Sequence, residues 1–186
     1  MKEFYEIKVA GLIRQLPICP LNEDLCIAGF VIFGDPELTV AAARELIKLM
    51  PEHDYMITAE AKGIPLIHEM ARQSGAKKYL LARKYKKLYM RAPFKVTVNS
   101  ITTDFTQTLY LDGDDAALMK GKKILVVDDV ISTGESIRAI EKLVEEAGGT
   151  VCGRMTILAE GDAAERDDII FLEKLPLFDR EGNPLE

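Results

Sequence analysis

The most constraining stretch of the chain is Ile124-Leu125-Val126-Val127-Asp128-Asp129-Val130-Ile131-Ser132-Thr133-Gly134-Glu135-Ser136. Four apolar residues end in two adjacent carboxylates, and a short loop of hydroxyls and one glycine follows. Helical spacing then begins at once, with Ile137, Ile140, Val144 and Ala147 on one face and Gly148-Gly149 to close it. A short, wholly apolar strand has no solvent face, so it belongs in a sheet covered on both sides.

The rest of the chain repeats this alternation. Ala28 to Phe33 is an apolar run that stops at Gly34-Asp35-Pro36, where Asp35 can cap a helix with Pro36 at its first position. Leu38, Ala42, Leu46 and Leu49 then recur at helical spacing. Tyr55 to Thr58 reads as a buried strand, Pro65 to Ser74 as a helix ended by Gly75, and Tyr79 to Ala82 as another short strand. Thr150 to Ala159 returns to strand. Strands alternating with helices predict an α/β domain with an open, mostly parallel sheet and helices on both faces.

One segment breaks the rhythm. Leu88 to Leu111 holds no convincing helix, and Lys95 to Ile101 and Phe105 to Leu111 alternate apolar and polar residues as an exposed antiparallel hairpin would. A long excursion between core strands is more often functional than idle.

Composition excludes several classes. Across 186 residues, 48% are hydrophobic and 29% charged, as expected of one folded domain spanning residues 1–186. A net charge of −6 argues against a dedicated nucleic-acid binder. No apolar run approaches the roughly 20 residues that span a bilayer, and the first residues lack a hydrophobic signal core, so the expected location is the cytoplasm. Cys19, Cys26 and Cys152 are too few and too scattered for a disulfide framework or a zinc site, and no Cys or His sits beside His53 or His68 at a metal-ligand spacing.

The chemistry therefore rests on the strand–loop–helix element. Ligands of open α/β sheets bind beyond the carboxyl ends of the strands. Backbone N–H groups at a helix start, with the hydroxyls of Ser132, Thr133 and Ser136, suit a phosphate monoester. Gly134 permits a close approach or a positive φ. Asp128 and Asp129 would repel that phosphate directly, but they can accept hydrogen bonds from sugar hydroxyls or act through Mg²⁺. Neither GxxxxGK[ST] nor GxGxxG after a strand is present, which disfavours P-loop kinases and dinucleotide-binding oxidoreductases. Taken alone, the acids could merely end a strand and a hydroxyl merely cap a helix.

The full string Val126 to Gly134 resembles the signature of the type I phosphoribosyltransferases, which bind phosphoribosyl pyrophosphate (PRPP). The resemblance implies that Asp128 and Asp129 hold the ribose 2′- and 3′-hydroxyls, and Mg²⁺ directly or through water. It assigns the 5′-phosphate to Val130, Ile131, Ser132, Thr133, Gly134, Glu135 and Ser136. Ala59, Glu60, Ala61, Lys62 and Gly63 stand where the family has its pyrophosphate loop. Arg83 and Lys84, with Lys87 nearby, resemble the basic pair that neutralises pyrophosphate, often from a neighbouring subunit. A solvated basic face is the plain alternative for Arg83, Lys84, Lys86, Lys87 and Arg91.

The opening segments Ala10 to Pro17 and Ile27 to Asp35 are similar to those of adenine phosphoribosyltransferases. This implies a base-binding hood over roughly residues 1–35, Phe30 or Phe33 against the base, a flexible catalytic loop at 88–111, and a homodimer. Two features leave the base open. The adenine enzymes carry a loop glutamate for proton transfer, whereas Asp104 is the sole acid of Leu88 to Leu111, and Ala82 to Leu88 also looks like xanthine phosphoribosyltransferases. The expected activity is transfer of ribose 5-phosphate from PRPP to a purine, most like adenine to AMP, in purine salvage. A xanthine/guanine-type transferase and a non-catalytic PRPP-sensing protein are the alternatives.

Overall fold

The computed structural model describes residues 2–99 and 106–185. Strands β1 (Phe4–Val9) and β2 (Leu12–Pro20) form an antiparallel hairpin turned by Ala10 and Gly11 at φ 50° and 80°. Two positive φ values are what a two-residue turn needs to match the strands' twist. β3 (Cys26–Ala28) adds to β2 antiparallel, completing a small N-terminal sheet. The apolar run Ala28 to Phe33 is thus not a strand of the main sheet. Beyond Ala28 it is irregular chain, with Phe30 and Ile32 buried and Val31 and Phe33 exposed.

Helix α1 (Pro36–Ile47) begins as its residues predict, the Asp35 carboxylate accepting the Leu38 N–H at 3.0 Å. Arg14 donates to the same carboxylate at 2.6 and 3.0 Å and to Glu37 at 2.8 Å, tying the hairpin to the helix start. The Arg14 guanidinium holds Asp35 below the usual carboxylate range against the opposing effect of burial. Leu49 lies beyond the helix and is exposed.

The main unit follows: β4 (Tyr55–Ala59), α2 (Gly63–Ser74), β5 (Leu80–Ala82), β6 (Phe94–Asn99), β7 (Thr106–Leu111), α3 (Gly113–Leu118), β8 (Lys123–Ile131), α4 (Glu135–Glu146), β9 (Thr150–Glu160), a 3₁₀ turn (Gly161–Glu165) and β10 (Ile169–Leu175). The sheet order is β10-β9-β8-β4-β5, and every pairing is parallel. Alternate residues of each strand enter opposite cores. Met56, Leu125, Val127 and Met155 pack with α1, α2 and the N-terminal sheet, whereas Ile57, Ile124 and Val126 pack with α4 and the β6–β7 hairpin.

That hairpin pairs from Phe94 with Leu111 to Asn99 with Thr106. It is not the exposed excursion its alternation predicts. Val96, Leu109 and Leu111 are buried against the face that α4 covers, so its apolar positions form core. Ile101, Asp104 and Phe105 lie outside the described residues. The C-terminal tail returns to the N-terminal sheet. Phe178 is fully buried, its ring edge-on to Tyr5 at 5.0 Å, and its backbone pairs with Cys26 at 2.8 and 2.9 Å. Among the described residues, no helix is long and apolar enough to cross a membrane.

Candidate active site

The strand that carries the acids runs further than its apolar run suggests. β8 keeps its ladder with β9 through Asp128 opposite Thr156 and Val130 opposite Leu158, so both carboxylates project from rigid strand. Asp129 is only 2% exposed, and Asp128 Oδ1 accepts the Asp129 N–H at 2.9 Å. Asp129 Oδ2 is the one buried side-chain nitrogen or oxygen among the described residues that lacks a hydrogen bond. Its nearest relief is the Lys62 ammonium, 3.2 Å away as an ion pair. A buried acceptor without a donor is costly, and such groups concentrate at working sites.

Burial, reinforced by the charge of Asp129, pushes Asp128 up to about 7. An unfolded carboxyl titrates near ~3.9, so the folded state holds this proton more tightly. Stability is therefore expected to fall as pH rises from about 4 to 7 and to stay low above 7. Asp128→Asn removes that penalty, which grows across the whole range because the unfolded carboxyl has already lost its proton by about pH 5. In ligand-free melting experiments we expect it to raise Tm by roughly 2–6 °C at pH 8 and by about a third as much at pH 5. An equal gain at both values would contradict this account of the pair.

The loop after β8 divides its residues between core and ligand edge. Ile131 is buried in the core and Val130 half-buried, and both remain in the ladder with β9. Ser132 is half-buried, while Thr133 and Ser136 are exposed. Gly134 adopts φ 77° as the cap of α4 and has no side chain to satisfy the helix, and Glu135 is its first residue. The first N–H groups of α4 thus have no cap from that position.

The turn after β4 supplies the opposite wall. Ala59 is buried, Ala61 and Lys62 are exposed, and Glu60–Ala61 is a cis peptide. Gly63 opens α2 against the acids, and a Cβ there would lie 2.1 Å from Thr58 Oγ1 and 3.0 Å from Asp128 Oδ1. Thr58 is fully buried, so Gly63→Ala must displace it or the carboxylate. We expect a loss of about 1–3 kcal/mol in denaturant unfolding, the usual cost of overpacking, together with weakened ligand binding.

Glu60 gathers the basic residues at the end of β5. It accepts Arg83 Nη1 at 3.2 Å and the Lys84 N–H at 2.9 Å, with Lys87 Nζ at 3.9 Å. Burial raises its pKa, but these donors win and hold it below the usual range. Glu60 therefore works as an anchor that positions cations. Arg83 also exchanges two backbone hydrogen bonds with Tyr110, at 2.7 and 2.8 Å, which joins the β5 end to the hairpin. Lys84 and Ser136 share a cavity of about 460 Å³ with Tyr85, Thr106, Gln107, Thr108 and Tyr110.

The two aromatic candidates separate. Phe30 sits in the core, whereas Phe33 is half-exposed. Two charged residues beside these loops have no place in the sequence-derived set, Glu160 near Lys62 and Arg166 against Gly134. Glu160, at the carboxyl end of β9, has its carboxyl raised by burial against the pull of Lys62. Its position, as the first acid after an apolar run, was a usable signal. Arg166 follows the 3₁₀ turn, and nothing local in sequence marks it.

Comparisons with known proteins agree with this architecture. Residues 38–179 match the family model of the phosphoribosyl transferase domain. A hypoxanthine/guanine phosphoribosyltransferase of Methanocella paludicola is 30% identical over 134 residues, covering 69% of this chain and 66% of the relative. One of the same name from Ferroglobus placidus is 33% identical over 133 residues, covering 71% and 67%. The chain spans about two thirds of these relatives, and 55% of another. The adenine phosphoribosyltransferase of Thermoanaerobacter pseudethanolicus superposes with a TM-score of 0.70 at 22% identity, over 86% of this chain and 95% of that one. With the family model covering most of the chain and a parallel sheet that ends in this acid pair, the protein belongs to the type I phosphoribosyltransferase family.

Proposed function

We propose that the protein transfers the ribose 5-phosphate of PRPP to a ring nitrogen of a purine base and releases pyrophosphate. The observation that carries this reading is the rigid acid pair Asp128–Asp129 on the strand that leads into α4, with the orphaned Asp129 oxygen facing Lys62. In this reading the pair accepts the ribose hydroxyls, whose O–H groups supply the donors that Asp129 lacks. Residues 130–136 take the 5′-phosphate, through backbone N–H groups and the hydroxyls of Ser132, Thr133 and Ser136. Residues 59–63, with Arg83, Lys84 and Lys87, face the pyrophosphate.

Bond cleavage at the anomeric carbon develops positive charge on the sugar and negative charge on the leaving group. Fixed cations aimed at the leaving group lower that barrier without reorganising, and no covalent nucleophile is required. The donor set also fits Mg²⁺. Two hard carboxylates, with no cluster of three or more acids, histidines or cysteines among the described residues, suit an ion that brings its remaining ligands as phosphate and water. Asp128 and Asp129 would hold it, directly or through water, and it would neutralise charge on the pyrophosphate. In this reading the β6–β7 hairpin, joined to Arg83 through Tyr110, shields the site from water.

Two base assignments rest on separate observations. Adenine is favoured by the N-terminal motifs and by the likeness in fold to adenine enzymes, and the product would be AMP. A 6-oxopurine is favoured by the names of the curated relatives. Measuring kcat/KM for adenine, hypoxanthine, guanine and xanthine separately decides between them. Strongest turnover with adenine supports the first, and with an oxopurine the second. Tight PRPP binding without turnover on any base would replace both with a PRPP sensor.

A further inference from the structure

The stretch assigned to the 5′-phosphate has an electrostatic deficit. Residues 128–136 hold three acids, Asp128, Asp129 and Glu135, and no lysine or arginine. A phosphate monoester carries a charge near −2 at neutral pH, so hydroxyls and helix N–H groups would have to offset both it and the acids. Lys62 answers Asp129 at the start of this stretch, and the structure brings a second cation to its far end. A Cβ built on Gly134 would lie 2.9 Å from Arg166 Nη1, so the guanidinium rests on the glycine that caps α4.

The guanidinium is pre-oriented. Its Nε and Nη2 donate to the two carboxylate oxygens of Asp168, both at 2.8 Å. Asp168 is also held by Arg154 Nη1 at 3.3 Å, and Arg154 is paired with Glu141 on α4. This chain of contacts fixes Arg166 from behind. Its remaining nitrogen, Nη1, has no hydrogen-bond partner among the described residues and is the one nearest Gly134. A bidentate clamp on one edge of an arginine leaves the other edge for a second anion at little entropic cost.

We propose that Arg166 is a substrate-positioning residue that supplies the cation for the 5′-phosphate, with Nη1 donating to a phosphate oxygen and Asp168 holding the guanidinium in place. The proposal rests on the PRPP reading above. It also accounts for a glycine at the α4 cap, where any Cβ would push this arginine away.

The test compares Arg166→Gln, Arg166→Lys and, as a control, Arg138→Gln. Arg138 is an exposed cation one turn into α4, so its loss removes the same charge without the contact. Arg166 is partly exposed, and Asp168 keeps Arg154 when it is replaced, so the variants should fold. We expect Arg166→Gln to raise KM for PRPP and Ki for ribose 5-phosphate together, by about 10- to 100-fold, the scale of one lost charge-assisted hydrogen bond. The Ki for inorganic pyrophosphate should stay within about 2-fold. Arg166→Lys should recover part of the loss, and Arg138→Gln should change little. Equal weakening of ribose 5-phosphate and pyrophosphate, or equal effects of Arg166→Gln and Arg138→Gln, would overturn the proposal. Should the wild-type protein bind neither PRPP nor ribose 5-phosphate, the functional reading itself falls, which is a separate result.

Discussion

Asp129→Asn is expected to cut turnover by about 10²-fold or more while leaving the fold intact, the scale seen when one preorganised polar group is lost. The side chain is 2% exposed and projects from the central strand, so the amide occupies the same space. What changes is the second oxygen. In the carboxylate, Oδ2 faces Lys62 at 3.2 Å and, in the proposed reading, accepts from the ribose hydroxyls. In the amide, an NH₂ there opposes both the ammonium and the sugar hydroxyls. Removing one of two adjacent buried charges also eases the repulsion that raises Asp128, so ligand-free stability should hold or improve. Steady-state kcat together with a thermal melt checks both halves. Unchanged kinetics would remove Asp129 from the reaction.

The second large effect concerns the tail. Phe178→Ala is expected to destabilise the protein by about 3–5 kcal/mol, the usual cost of emptying a phenylalanine site in a core, and to lower Tm by roughly 10 °C. Phe178 is fully buried and meets Tyr5 of β1 edge-on at 5.0 Å, an arrangement that adds to simple area burial. Its backbone also pairs with Cys26 of β3, so the tail holds two strands of the N-terminal sheet. Equilibrium denaturation measures the loss. A change below about 1 kcal/mol would mean that the tail only rests on this sheet.

What sequence revealed and what it hid follows from the range of the interactions. The β8–α4 element was legible because its determinants are local: an apolar strand, two acids, a glycine at φ 77°, and Ile137, Ile140 and Val144 on one helix face. The Asp35 cap and the Gly75 stop of α2 were legible for the same reason. The irregular path of Ala28 to Phe33 was not, since an apolar run looks alike whether it pairs or merely packs. β10 escaped because it is an edge strand with exposed Glu173 and Lys174. The hairpin's burial depends on α4, about 40 residues away in the chain. In the site, the acids and the basic cluster could be read directly. That Glu60 organises the cations, that Lys62 faces Asp129 and that Arg166 lies on Gly134 are facts of tertiary packing, with no local signature.

The most direct test of the central claim is to incubate the protein with PRPP, Mg²⁺ and an equimolar mixture of purine bases, then follow the products by mass spectrometry. The account predicts a nucleoside 5′-monophosphate and pyrophosphate appearing in equal amounts, both formed about 10²-fold or more slowly by Asp129→Asn. PRPP left intact with every base present would contradict it.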